Sequence, residues 1–494
     1  MTNIGYEFHK LPDSWIWVKT GDICEGLVPG RTKPKSFNGD IPWITLPDID
    51  DLYVSRSKKK LAVDRKEAES VGMKVMPKNT VLMSCVGQFG LICITSTQVV
   101  PNQQLHGFIC LDKVLPEYIA YALKTQVHQM EQMASATTIS YLNKTKCNSI
   151  KIPLPPLNEQ HRIVTKIEAL TARSRKARAA LDAIPALLDQ FRQSVLAAAF
   201  RGDLTADWRA QNPDVEPAEK LVVAAETNKV EILGKYKKPK SLDIDELPSL
   251  PKTWTWSIPQ TLSSHTDNSI CAGPFGTIFK AKDFRDSGIP IIFLRHVAPG
   301  KYLNHKPGFM DSDKWEELFK PYSVWGGELL ITKLGEPPGT CAIFPKDKGP
   351  AMVTPDVIKM TVNPEAVQSH YLMHYFNSEL SRKIAFGVAY GVTRLRMNLS
   401  IFRALPVPLA PLEEQVEICR QVQYFFDAIE VIESQYKDSL QQLDQLDQSI
   451  LAKAFRGQLV PQDPNDEPAS VLLERIRTER EKTQKKKRKG KGKK

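Results

Sequence analysis

The sequence lacks any apolar run near the ~18 residues that a membrane-crossing helix needs. Its longest clean stretches, such as GIPIIFL at 288–294, are far shorter, so a helical membrane protein is excluded and no membrane partner is expected. It also lacks a CxxC pair, the eight cysteines at 24, 85, 93, 110, 147, 271, 341 and 419 being scattered. Zinc sites and disulfide frameworks need close, repeated spacing, so these residues are expected to be reduced thiols filling cores. No basic patch followed by an apolar run opens the chain; no secretory signal is expected, and the expected compartment is the cytoplasm. The body is short of net charge. Nine of the 67 basic residues crowd into 482–494, which holds no acid, and without them 58 basic residues face 56 acidic ones. The formal charge of +11 therefore belongs to the tail, and any case for nucleic-acid binding by the body has to come from its organisation.

Chemical motifs are missing as well. CVGQFG (85–90), GPFG (273–276) and KLGEPPG (333–339) have neither the GxxxxGK[ST] nor the GxGxxG spacing of a nucleotide site and are expected to be tight turns. GEPPGT (335–340) lacks the Asn or Asp before its proline pair, and the aromatic after it, that a base methyltransferase uses to hold a flipped base. His370 and His374 stand at i and i+4, but Tyr371 follows the first and no third ligand is evident, so they are expected to be a packing pair. No catalytic, cofactor-binding or metal-binding residue is expected in this chain.

What is present is repetition. PLPPLNEQHRIVTKI near 155 returns as PLAPLEEQVEICRQV near 408, and at the same offset DQFRQSVLAAAFRGDL (189–204) falls on DQLDQSILAKAFRGQL (444–459). Two matched motifs separated by the same intervening length mark a duplicated element. Ahead of them, LPDSWIW (11–17) matches LPKTWTW (250–256), and IPWITL (41–46) matches IPIIFL (289–294). Each duplicated segment begins after prolines and predicts a long helix, over 158–200 and 413–455. Steps of four and three link Ile163, Ile167, Leu170, Ser174, Ala177, Leu181, Ile184, Leu188, Phe191, Val195 and Ala198 in the first. The same phase links Ile418, Val422, Phe425, Ile429, Ile432, Tyr436, Ser439, Leu443, Leu446, Ile450 and Lys453 in the second. A 3.5-residue seam suits a coiled coil between the two helices, bent at Pro185. Spacing alone does not choose parallel or antiparallel, and it equally suits a coiled coil that only stabilises a dimer.

The regions ahead of each helix, 12–154 and 251–407, mix strand signals such as TVLMSCV and ELLITKL with helix signals such as LPEYIAYALKTQVHQMEQM, which predicts α+β domains. Basic and polar residues cluster near aromatics in both. Arg31, Lys33 and Lys35 precede Phe37, and Arg56, Lys58, Lys59 and Lys60 follow Tyr53. Arg295 and His296 lie near Tyr302. A third kind of cluster precedes each helix: Tyr141, Asn143 and Lys144 in the first copy, and Tyr390, Thr393, Arg394 and Arg396 in the second. Arg and Lys can hold phosphates, and Arg and Asn can pair with base edges, so these are the candidate DNA-binding residues.

With its duplicated proline–Gln helix starts and its AAFRGDL and KAFRGQL helix ends, the chain closely resembles the DNA specificity subunit of type I restriction-modification systems, over nearly all of 11–460. The resemblance implies target recognition domains at 1–154 and 250–407 and helical spacers at 155–204 and 408–460; by composition, polar and proline-containing 205–249 reads as a linker with a helix-like piece near 215–230, and 461–494 reads as a charged basic tail in which 471–481 suits a charged helix. It implies that the two spacers pair as an intramolecular antiparallel coiled coil, and that each domain reads one half of a split, asymmetric site in double-stranded DNA. It further implies two modification subunits and two restriction subunits as partners. S-adenosylmethionine, ATP and Mg2+ then belong to those partners, and the specificity subunit has no active site. Spacer and partner-binding roles would fall on Pro156, Glu159, Gln160 and Ile163, on Pro411, Glu414, Gln415 and Ile418, and on Phe200 and Phe455.

Overall fold

The computed structural model describes residues 10–30, 32–111, 113–134, 140–234, 236–244, 247–274, 283–391 and 395–491. It divides into two compact units. The first unit combines the chain up to Asp182 with the segment from Lys437 onward, and the second is Ala183–Tyr436. Five helices organise them: α1 (Leu157–Leu181), α2 (Ile184–Arg201), α3 (Ala218–Leu233), α4 (Leu412–Phe455) and α5 (Ala469–Lys491). Because α4 gives its N-terminal half to the second unit and its C-terminal half to the first, the first unit is built from two separate stretches of sequence, whereas the second is continuous.

In the first unit, a five-stranded sheet runs in the order Cys24–Leu27, Leu105–Cys110, Thr80–Ser84, Ile92–Thr95, Tyr53–Val54. Thr80–Ser84 is buried at every position, which explains its unbroken apolar run: a central strand covered on both faces has no reason to alternate. The helix Pro116–Lys124 starts with proline in its first turn, where no N–H is needed, and buries Tyr118 through Leu123. An antiparallel pair, Ile16–Lys19 with Lys151–Leu154, brings the start of the domain beside the start of α1.

The second unit repeats the plan with different dimensions. Its four-stranded sheet, ordered Ile270–Ala272, Val357–Met360, Leu329–Thr332, Cys341–Ile343, is wholly antiparallel. Ser369–Phe376 replaces Pro116–Lys124, and Thr255–Ser257 pairs with Val407–Leu409 as Ile16–Lys19 does with Lys151–Leu154. A separate five-stranded sheet includes Ile289–Ile292 and Ala351–Val353, whose counterparts Ile41–Ile44 and Val100–Pro101 sit in a three-stranded sheet of the first unit.

The helices pack antiparallel within each unit. In the first, Arg178 of α1 reaches Asp444 and Asp447 of α4, while Ile163 and Ile167, earlier in α1, share a core with Ile450 and Phe455, later in α4. In the second, Arg192 of α2 bonds Glu433 at 2.7 Å, and Val195 and Ala199 share a core with Val422 and Ile418. The predicted first helix is interrupted at Asp182–Ala183, where both residues keep right-handed helical dihedrals. Pro185 stands in the first turn of α2, which tolerates its missing N–H. The seam is uneven, with Ile429, Ser174 and Leu188 buried along the helices as well as the residues at their starts. Ile163, Ile167, Ile418 and Val422 are fully buried, but Phe191 and Leu446 are 43% and 50% exposed.

The stretch 205–249, read from sequence as a connector, holds a short helix, Ala206–Gln211, and α3, whose Ala218 and Ala225 enter the core of the second unit. The start of the basic tail is packed too: α5 places Ala469, Leu472, Leu473 and Ile476 in the core of the first unit. These two helices are a further repeat. Ala218 N–H donates to Thr253 O at 2.9 Å, and Ala469 N–H donates to Ser14 O at 3.0 Å. Lys229 of α3 caps Gln260 O, and Arg480 of α5 caps Gly21 O at 2.8 Å.

Candidate nucleic-acid interface

The duplicated motifs build one anchor, made twice. Pro156 and Pro411 open α1 and α4, and the carbonyl of each accepts the first intrahelical bond, from Gln160 N–H and Gln415 N–H, both at 2.9 Å. Glu159 accepts a hydrogen bond from the Trp15 indole at 2.9 Å, and Glu414 accepts one from the Trp254 indole at 2.9 Å. Gln160 bridges Leu115 N–H and Pro155 O; Gln415 bridges Gln368 N–H with the carbonyls of Ala366 and Ala410. Tyr118 donates to Pro153 O at 2.8 Å, and Tyr371 donates to Pro408 O at 2.6 Å. The far helix end closes each knot. Phe455 packs on Tyr118 and Phe200 on Tyr371, each with ring centroids 5.3 Å apart.

The Phe-Arg-Gly ends follow from this geometry. Gly202 and Gly457 terminate their helices at φ +82° and +72°, a left-handed conformation that glycine adopts without strain. A Cβ there would stand 2.5 Å from Pro251 and 2.4 Å from Pro12, the prolines of the two LPxxW motifs. Thus Pro156, Glu159, Gln160, Ile163, Pro411, Glu414, Gln415, Ile418, Phe200 and Phe455 are all buried inside their own unit. These buried side chains fasten helix to domain.

The anchor carboxylates differ in environment. Burial raises the Glu159 pKa, opposed by hydrogen bonds from Trp15 and Gln462. Glu414 instead takes the Arg209 guanidinium and the Thr205 hydroxyl in addition to Trp254. Sequence reasoning passed over Trp15, Trp254, Tyr118, Tyr371 and Arg209. The repeated LPxxW at 11–15 and 250–254 carried the signal for the two tryptophans, since a buried indole N–H needs an acceptor.

Away from the anchors, the units diverge in their loops. The CVGQFG turn and the polar cluster ahead of α1 meet: Gly87 N–H donates to Ser140 O at 2.8 Å, and Leu142 N–H donates to Cys85 O at 2.8 Å. In the second unit the KLGEPPG turn meets the equivalent cluster through Gly335 N–H to Leu395 O and Met397 N–H to Lys333 O. Bridged to these turns, Tyr141 and Arg396 occupy the same position in the two copies, and both are exposed. One unit thus offers an aromatic ring where the other offers a guanidinium. Tyr390, 50% exposed, pairs through its backbone with Arg396.

The other candidates are placed as follows. Lys33 and Lys58 come together around a cavity of about 500 Å³, also lined by Trp43, Asn102 and Gln103, while Arg56 is exposed outside that lining. Lys58 pairs with Asp50 at 2.9 Å. Lys144 is exposed in the first turn of Lys144–Asn148, and Asn143 caps that helix by accepting from Lys146 N–H at 2.9 Å. Arg295 is exposed and stacks its guanidinium over Phe293, 4.3 Å from the ring centroid. His296 is corrected. Its ring is fully buried, accepts from Phe293 N–H at 2.9 Å, and is held neutral with a pKa lowered to about 4, chiefly by burial. It fills the position that Asp48 fills in the first unit, where the carboxylate accepts from Thr45 N–H at 2.7 Å, so its role is to shape the loop. Arg31, Thr393 and Arg394 lie outside the described residues. His374 is buried with its ring edge-on to Phe426. Among the described residues, no three His, Cys, Asp or Glu side chains gather as a metal site.

Comparison with known proteins agrees with this architecture. The family model for the type I restriction modification DNA specificity domain matches residues 12–182 and 276–442. The type I restriction enzyme EcoBI specificity subunit of Escherichia coli is 26% identical over 481 residues, covering 95% of this chain and 93% of that protein. The EcoKI specificity subunit of Escherichia coli strain K12 is 25% identical over 95% of this chain and 96% of its own length. The StySPI specificity subunit of Salmonella potsdam is 26% identical, with the same coverage. A solved chain from work on complex assembly and conformational transition of the type I R-M system shares the fold, with a TM-score of 0.59 at 19% identity, covering 91% of this chain and 100% of that one. The two matched segments, which carry the two proline–Gln helix starts and together span more than half of the chain, make it a member of the type I restriction modification DNA specificity domain family.

Proposed function

We propose that this chain is the sequence-reading subunit of a type I restriction-modification assembly, directing partner enzymes to a split, asymmetric DNA site. One observation carries the proposal: two units share the same Trp–Glu, Gln and Tyr–Phe anchor, yet place different side chains, Tyr141 and Arg396, at the equivalent loop position. A common scaffold with unlike loops suits two readers of unlike sequences. Exposed Lys33, Lys58, Lys144 and Arg295 supply phosphate contacts, while Tyr141, Tyr390 and Arg396 stand where base edges or sugars are met. A good bidentate contact is worth about 1–3 kcal/mol of discrimination. Linking two readers on stiff helices then converts the second recognition event into an intramolecular one. The 44 residues of α4 extend for about 66 Å at 1.5 Å per residue, so the helix pair sets the unread gap.

Methyl transfer and cleavage are supplied by partners in this account: two modification subunits using S-adenosylmethionine, and two restriction subunits using ATP and Mg2+. Their docking surface is sought on the exposed helix faces, where Tyr424, Val431 and Leu446 project, because the duplicated motif residues themselves are buried. Mapping methylated adenines in cells that express the chain with its methyltransferase partner tests the proposal. A two-part, non-palindromic motif with a fixed gap supports it, and a single continuous motif or a palindrome contradicts it.

A further inference from the structure

Two of the eight cysteines are not scattered in space. Cys24 and Cys110 stand directly opposite each other on the antiparallel strands Cys24–Leu27 and Leu105–Cys110, with their sulfurs 3.8 Å apart. The register decides what this pair can do. Leu111 N–H donates to Ile23 O at 3.0 Å, one residue outside the pair, so Cys24 and Cys110 form a non-hydrogen-bonded pair. That is the closer of the two antiparallel pairings, with Cα atoms about 4.5 Å apart. It falls inside the window of about 4.4–6.8 Å that a disulfide spans, so side-chain rotation alone can bring the sulfurs to bonding distance.

The two thiols are unequal. Cys110 is half-buried and open to a small oxidant, whereas Cys24 is fully buried and donates its S–H toward Cys110. Arg480, fastened to Gly21 O, adds positive charge beside the pair. The contact with Cys110, and then burial, hold the Cys24 thiol well above its usual pKa; Cys110, the one of the two that a small oxidant reaches, is the attacking sulfur.

We propose that Cys24 and Cys110 are a peroxide-oxidised dithiol that closes as a cross-strand disulfide. The Cys110 thiol gives its proton to solvent and the thiolate attacks one peroxide oxygen, forming an S–O bond and breaking the O–O bond; the departing hydroxide takes a proton back from solvent and leaves as the first water. The Cys24 sulfur then displaces the hydroxyl of the Cys110 sulfenic acid. The S–S bond forms, the S–O bond breaks, and the hydroxyl leaves with the Cys24 proton as a second water. Two thiols are oxidised by two electrons and one hydrogen peroxide is reduced. The bond ties an edge strand of the five-stranded sheet to its neighbour and closes a loop of 86 residues, which holds Lys33, Arg56, Lys58 and the CVGQFG turn. Such closure stabilises the first unit by restricting its unfolded chain.

The test treats the folded full chain with hydrogen peroxide, quenches it, alkylates the remaining thiols in denaturant and digests it without reduction for mass spectrometry. The expected result is a Cys24–Cys110 linked peptide as the major disulfide, abolished by dithiothreitol. Cys419, also half-buried, serves as the control for an oxidisable cysteine in the second unit. Recovery of Cys110 as sulfinic acid with Cys24 alkylated would overturn the proposal. As a second measurement, Cys24→Ser removes the resolving thiol and is expected to raise dimedone labelling of Cys110 roughly ten-fold over the unsubstituted chain. Equal labelling of the two chains would also overturn it.

Discussion

Glu159 and Glu414 hold matched indole N–H groups, but Glu414 also meets Arg209 and Thr205. Removing its carboxylate strands a guanidinium, a hydroxyl and an indole N–H together. Glu414→Ala is therefore expected to destabilise the second unit by about 3 kcal/mol or more. Glu159 has no such ion pair at the anchor, and its raised pKa says that burial already works against its charge. Glu159→Gln keeps an acceptor for Trp15 and is expected to cost about 1 kcal/mol or less. Denaturant unfolding of the two variants checks both, and equal losses would contradict the distinction. The buried histidines give a second test at this scale. His106 and His374 are each held near a pKa of about 4, chiefly by burial, against about 6.5 in an unfolded chain. Between those values the unfolded chain binds more protons, so stability falls as pH drops through that window. Thermal unfolding from pH 7 to 4 should show the loss, and His106→Gln with His374→Gln should flatten the slope. For the loops, Arg396→Ala is expected to weaken DNA binding by about ten-fold in the assembled complex with an unchanged melting temperature. His296→Ala is expected to lower the melting temperature of the second unit, because the buried ring accepts from Phe293.

At the scale of elements, the helices were legible because proline starts, a repeated seam and Phe-Arg-Gly ends are local signals. α3 and α5 were legible as helices, near 215–230 and 471–481, but not as parts of a core. Their apolar faces are narrow, a few residues such as Ala218 and Ala225 or Leu472 and Ile476, and the charged residues between them pointed to a linker and a tail. The repeated Glu-Pro-Ala at 216–218 and 467–469 was the available signal. Sequence also overstated the seam. Heptad spacing records which residues share a face, whereas burial depends on what lies opposite, and Phe191 and Leu446 remain exposed on that face. The candidate site was the least legible part. A polar loop residue such as Asn143 reads alike whether it caps a helix or faces a ligand, and His296 turned inward because its ring nitrogen replaces a carboxylate in a capping position. The antiparallel pairing yields a further prediction. Arg178 faces Asp444, so seven residues inserted after Ala177 are matched by seven inserted between Leu443 and Ile450. This paired insertion is expected to widen the unread gap in the recognised sequence while leaving both half-sites unchanged. Methylation mapping reads the gap directly, and an unaltered gap would remove the helix pair as the spacer.

For the whole molecule, the central claim is a division of labour. Each unit has its own sheets, its own core and its own copy of the anchor, while the sequence joins them through α4, which both share, and through the junction of α1 with α2. On the proposed function recognition is modular even though folding is interleaved: residues 12–154 are expected to determine one half-site, and the anchors to mount the domain. The most direct measurement replaces residues 12–154 with the corresponding domain of another family member, keeping Trp15 and its LPxxW context so that Glu159 retains its donor. Methylated adenines are then mapped with partners present. The expected result is a new motif in which one half and only one half has changed, at the same gap. A change in both halves, or in neither, would contradict the account.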